Sequence, residues 1–315
     1  MGRIVAILRQ AAAALRRPKQ DKGPQRPRQF EDMIEHPRIT TVSGAVARAG
    51  LVCLVIMLPA LVVPSTPPET AQVLLLVGLF AAAVVMAEYA SSYPALIEFR
   101  FAAPFNRTRF ALLALIVLGL SLLQRSLDGG GGLAQQVAGF AAICGEWLDQ
   151  PFSPVRQLLA FMPLGMTESH LLLVRDGAAL GLILSTTTVL GFVAAIRLQI
   201  WPPGQGPFNV WINLPTFEPT AGNDVVLRLQ RHARVNIALG ILMPFILPGL
   251  VMASALMIRP LDFATPVSFV WGIALWAYAP AALVMRGVAM ARVARMIREN
   301  RRRFADGEGN AFVTA

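Results

Sequence analysis

The chain has 315 residues, of which 55% are hydrophobic and only 15% charged, with a positive mean hydropathy and a formal net charge of +10. These values lie outside the range of soluble globular domains, and several near-continuous apolar stretches approach the ~20 residues that cross a bilayer as a helix. Two cysteines, Cys53 and Cys144, are too few for a disulfide framework or a zinc site. Nearly all of the basic residues are arginines, Lys19 and Lys22 being the exceptions, a bias that points to a GC-rich bacterial genome. Basic residues flanking membrane spans mark the cytoplasmic side, so the positive charge reads as topology and lipid contact rather than nucleic-acid binding.

In chain order, residues 1–43 form a basic cytoplasmic arm. Its start carries Ile4, Leu8, Ala11 and Leu15 on one helical face, and 18–38 is a polar, proline-rich linker. A six-span transmembrane domain follows over 44–286. The first span is expected at about 44–63 and the second at about 71–90, joined by a short proline-rich turn. Residues 88–110 interleave aromatic rings with Arg100, Arg107 and Arg109, which predicts a short interfacial helix. Asn106 is the expected cap of the third span, about 108–123. After the glycine run 129–132, amphipathic helices within 133–164 are too short or too polar to span, and are expected on the periplasmic leaflet.

Thr167 is the expected N-cap of a helix that runs into the fourth span, about 177–200. The stretch 201–224 is aromatic, proline-rich and nearly uncharged. Within it Phe208, Val210, Ile212 and Leu214 alternate with Asn209, Trp211 and Asn213, a period of two that predicts an extended segment. Asp224 starts a basic helix leading into the fifth span, about 235–257, kinked by Pro244 and Pro248. The sixth span, about 267–285, carries Pro280 and continues as a basic cytoplasmic helix and tail over 287–315. Of the 28 basic residues only Arg125, Arg156, Arg175 and Arg259 fall on the side opposite the termini. That asymmetry predicts an all-α polytopic protein with both termini in the cytoplasm of a bacterial inner membrane.

Candidate functional residues fall in three groups. Trp201, Phe208, Val210, Trp211, Ile212 and Phe217 are candidates for contact with a membrane or cytoplasmic protein partner. Arg292, Arg295, Arg298 and Arg301, at spacing three, suit anionic lipid headgroups or an acidic partner. Glu168, His170, Arg175 and Asp176 form a candidate polar cluster near the outer end of the fourth span. Adjacent residues on a helix do not face each other, so Arg175 and Asp176 are each expected to pair with another element. Arg48, Glu88 and Arg286, near cytoplasmic span ends, are expected to snorkel to the interface.

No catalytic constellation, metal-ligand spacing, nucleotide loop or cofactor motif stands out. The cores of the spans carry almost no ionisable residues, which transport or proton translocation would place there. The residues therefore favour a non-enzymatic accessory, scaffold or assembly subunit. A six-span permease using the proline-interrupted fifth helix and the hydroxyls of 185–188 is the alternative, and a membrane-embedded enzyme with an unrecognised site the third.

Overall fold

The computed structural model describes residues 42–91, 95–163, 165–202, 210–217, 224–254, 263 and 265–313, without the side chains of 211, 212, 254 and 304–313. The helical face predicted near the N-terminus, the 18–38 linker and Phe208 lie outside these residues.

Apolar composition over whole helical lengths produces six spans among the described residues. They are α1 (Val42–Val62), α2 (Pro68–Ala90), α3 (Phe105–Leu127), α6 (Glu168–Arg197), α8 (Val225–Ser254) and α9 (Pro266–Val313). Each contains an 18-residue window apolar enough to cross a membrane. Between α3 and α6 lie α4 (Leu133–Leu148) and α5 (Pro154–Ala160), and α7 (Val210–Asn213) is a single turn. The chain is a multi-pass membrane protein. Its side chains say so as well, since large apolar residues such as Leu76 and Phe80 (73% exposed) face outward and need lipid around them.

The helix α9 is the centre of the bundle, with 50% of its apolar window buried against 11% for α2. Small residues set how closely its neighbours approach, as expected where helices associate by packing rather than by expulsion of water. A Cβ added to Gly181 of α6 would lie 2.9 Å from the Cβ of Ala277, and one on Gly240 of α8 would lie 2.7 Å from the Pro280 carbonyl oxygen. Leu112, Ile116 and Leu120 of α3 fill the same core beside Val174 and Ala178 of α6 and Phe269 and Ile273 of α9. Helix α1 packs antiparallel on α2 where Gly78 faces Cys53. The α1–α2 turn is tied to the end of α3, where Ser65 Oγ donates to Asp128 (2.7 Å) and Arg125 donates to the Val62 carbonyl (2.9 Å).

Proline leaves carbonyls without helical partners, and the bundle supplies other donors. Pro248 frees the carbonyl of Pro244, which accepts from Trp276 Nε1 at 3.0 Å. Ser185 of α6 also donates across the interface to the Ala277 carbonyl of α9, at 2.9 Å. Thr167 caps α6 as the sequence predicts, accepting from the backbone N–H of His170.

Other expectations are corrected. Helix α3 begins at Phe105 behind Pro104, and Asn106 does not cap it; its amide instead donates to the Glu98 carbonyl at 2.7 Å. The described residues between Ala90 and Phe105 hold turns and bends rather than an interfacial helix. The reason is local: Glu88 and Arg100 bind the backbone of this segment and bend it into a compact loop. The alternating stretch near 210 is one helical turn, with Leu214 N donating to the Val210 carbonyl at 2.9 Å. No strand lies among the described residues to pair with it, so the backbone satisfies itself.

Candidate functional site

One end of the bundle gathers the start of α1, the end of α2, the start of α3, the end of α6, the start of α8 and the middle of α9. It is the basic end, and its framework is a loop. The Glu88 carboxylate at the end of α2 accepts from the backbone N–H groups of Ala95, Leu96 and Ile97 at 3.0–3.2 Å. The guanidinium of Arg100 reaches back to the carbonyls of Glu88, Tyr89 and Ser91 at 2.6–2.8 Å. A cation on the last carbonyls of a helix is favourable both as a cap and against the helix dipole. Between them, Phe99 adopts φ +54° and is almost fully buried. A phenylalanine tolerates that left-handed conformation only where surrounding contacts over-determine it, and here its N–H donates to the Asn213 carbonyl at 2.6 Å.

The loop presents Glu98 to the bundle. Two hydrogen bonds of 2.6 Å join its carboxylate to Arg286 of α9, in the parallel geometry that makes arginine–carboxylate pairs strong. Thr216 Oγ1 donates to the same carboxylate at 2.6 Å, and Arg286 also donates to Asn236 of α8 at 3.1 Å. Burial raises the Glu98 carboxyl pKa, but the bonds from Arg286 and Thr216 and the charges of Arg286 and Arg109 outweigh it. The net effect holds the group below the ordinary carboxylate range. Three chain segments far apart in sequence thus meet on one acid, and a fourth, at Asn236, joins them through Arg286. Glu88 and Arg286 therefore do not snorkel; each spends its charge on protein partners, and Arg48 donates to the Gly44 carbonyl and lies 4.7 Å from the centre of the Tyr89 ring.

Beneath this ion pair sits an aromatic core. Trp201 is 0% exposed and donates its indole N–H to the Ala102 carbonyl at 3.0 Å. Its ring meets Phe99, Phe105 and Phe192 with centroids 5.4–6.0 Å apart. Phe217 is buried beside His232 with Arg228 over its ring, and Val210 is half-buried against the same cluster. Of the partner-contact candidates, Trp201 and Phe217 thus pack on the chain's own helices, while the side chains of Trp211 and Ile212 lie outside the described residues.

Cavities accompany these elements. One, about 890 Å³, lies at the basic end between α1, α2, α3 and α9, with Arg48, Arg107, Arg109, Glu98 and Arg286 among its polar lining and Leu51, Val52, Val85 and Leu113 among its apolar lining. A second, about 640 Å³, lies between α5, α8 and α9 and is lined almost wholly by apolar groups, including Phe161, Pro248 and Trp271. A third, about 390 Å³, brings Glu168 and Arg175 together with Asp149 and Arg156. That joins two members of the candidate polar cluster. Arg175 and Asp176 nevertheless pair with each other, Nε to Oδ1 at 2.8 Å, although they are consecutive. The arginine side chain is long enough to fold back where helix faces alone would keep the two apart. His170 lies one turn into α6 and is not part of the cavity lining.

On α9, Arg295 and Arg301 are exposed and Arg292 and Arg298 half-buried. Arg301 bonds Asp224 at the start of α8 at 2.7 Å, so the stripe is anchored to the bundle at that point. Sequence reasoning missed Glu98, Thr216 and Asn236. The available signal was an acid, Glu98, close to Arg100, Arg107 and Arg109 in one connection, at the same end as Arg286 just past the expected sixth span. No family model, curated protein or solved structure matches this chain.

Proposed function

We propose that this multi-pass protein is a non-enzymatic accessory, scaffold or assembly subunit of a bacterial inner membrane, with both termini and the basic end in the cytoplasm, contacting a partner protein there. The observation that carries this reading is the division of labour within the bundle. Where α6 and α8 meet α9, small residues close the interfaces, and the hydroxyls of Ser185 and Thr188 are taken up by backbone carbonyls. The basic end, by contrast, is braced by the Glu98–Arg286 pair and the Trp201 core. Such bracing suits a surface that must keep its shape while presenting the α9 arginines. Affinity purification from native membranes in mild detergent tests it. A co-purifying partner lost on deleting 208–214 or on neutralising Arg295 and Arg298 supports the reading; recovery of the protein alone counts against it.

A six-span permease is the second reading, favoured by the apolar cavity beside Pro248. Labelling a Ser185→Cys variant with a membrane-impermeant maleimide separates the two. Rapid modification from water would establish an aqueous path between α6 and α9 and favour the permease, whereas protection favours the accessory subunit.

A further inference from the structure

The cavity at the basic end has an arginine-rich lining and an apolar floor. Glu98, the lining carboxylate among the described residues, is taken up by Arg286 and Thr216. Among the described residues no carboxylate lies within ion-pair distance of Arg48, Arg107 or Arg109. Arg109 also keeps a buried Nε without a hydrogen-bond partner, its guanidinium lying 5.5 Å from the centre of the Phe105 ring. Three arginines with no ion-pair partner among the described residues thus line one cavity. Below them Leu51, Val52, Val85, Phe110 and Leu113 carry no charge, and Leu51 is 48% exposed, so the floor opens sideways onto the surface that faces lipid.

We propose that this cavity is a binding site for one anionic phospholipid. Arg48, Arg107 and Arg109 would hold the headgroup phosphate, and an acyl chain would lie along Leu51, Val52, Val85 and Leu113. The volume, about 890 Å³, falls within the range of ordinary ligand sites and suits a headgroup with the first part of a chain. Arginine forks match phosphate geometry, and the apolar floor favours a lipid over a free anion or an acidic peptide, either of which would leave that floor against water. The site differs from the arginine stripe on α9, which offers charge without a cavity. It rests on the multi-pass membrane reading alone and stands whether the protein is an accessory subunit or a permease.

Native mass spectrometry of the full chain through a delipidation series tests it, with phosphatidylglycerol and phosphatidylethanolamine as probes. The wild-type protein is expected to retain one phosphatidylglycerol under conditions that strip phosphatidylethanolamine. An Arg107→Gln/Arg109→Gln variant should lose affinity roughly twenty-five-fold, since each arginine near a membrane surface accounts for about five-fold. An Arg295→Gln/Arg298→Gln variant should bind as the wild type does. Leu51→Trp, on the exposed side of α1, fills the floor while leaving the arginines in place, and should also expel the lipid. Equal retention of the two lipids, an unchanged Leu51→Trp variant, or equal losses from the two arginine pairs would each overturn the site. A thermal shift with inorganic phosphate as large as with phosphatidylglycerol would make the ligand a free anion and overturn the lipid assignment.

Discussion

The Glu98 carboxylate and the Arg286 guanidinium, 188 positions apart, share two hydrogen bonds of 2.6 Å at the basic end of the bundle. The carboxylate is largely buried and the arginine about a quarter exposed. The pair locks the α2–α3 loop to the central helix, and Thr216 and Asn236 attach the α7 segment and α8 to the same point.

Removing one partner leaves the other charged and poorly solvated. Glu98→Ala is expected to destabilise the protein by about 2–3 kcal/mol, below the usual cost of breaking a buried pair because water reaches part of Arg286. Arg286→Ala should cost a similar amount. The double variant should be less damaging than the sum of the two by about 1–2 kcal/mol, as coupled neighbours are. Melting temperatures of the four proteins in one detergent give the comparison; strict additivity would show that the pair contributes no coupling.

The same carboxylate makes stability depend on pH with a definite sign. Its folded-state pKa lies below the ordinary value of 4.5, so the unfolded chain takes up the proton first on acidification. The stabilisation is complete above that ordinary value and is lost as pH falls through the folded one. Wild-type and Glu98→Gln melting curves should therefore differ most near neutrality and converge in acid. Parallel curves over the whole range would place the acid sensitivity elsewhere.

Trp201 connects the stretch after α6 to the α2–α3 loop through its ring and its N–H. Trp201→Ala should cost about 3–5 kcal/mol through the cavity it leaves. Trp201→Phe keeps most of the packing but orphans the Ala102 carbonyl, at about 1–3 kcal/mol. Thermal melts rank the two, and limited proteolysis of the 203–223 segment should quicken in the same order.

Glycines in the spans divide by what surrounds them. Gly240→Ala drives a methyl against the Pro280 carbonyl and Val284, and should destabilise by about 1–3 kcal/mol. Gly191→Ala meets nothing within 4 Å and should be neutral or stabilising by about 0.5 kcal/mol. Opposite signs in paired melts check that close helix approach, not helix propensity, sets the difference.

Parts of the basic end were legible from residues alone. The aromatic, proline-rich stretch 201–224 stood out as a shaped element between two spans, and Trp201 and Phe217 within it do anchor a core. Its conformation did not follow, because an alternation over seven residues fits a strand only if a partner strand exists, and α7 has none among the described residues. Arg175 and Asp176 misled for a related reason: helical spacing places backbones, while a long arginine decides its own partner.

The sequence by itself determined the number of spans, their approximate positions, the caps at Thr167 and Asp224 and the gathering of arginines at one end. These depend on hydropathy, charge and capping within some twenty residues, which is local information. Only the tertiary structure decided that Glu98 meets Arg286, that Trp201 turns inward, that Trp276 serves the carbonyl freed by Pro248, and that three arginines line one cavity over an apolar floor. Those relationships arise from packing between helices far apart in the chain, where the identity of each partner is set by the approach of backbones rather than by any neighbouring residue.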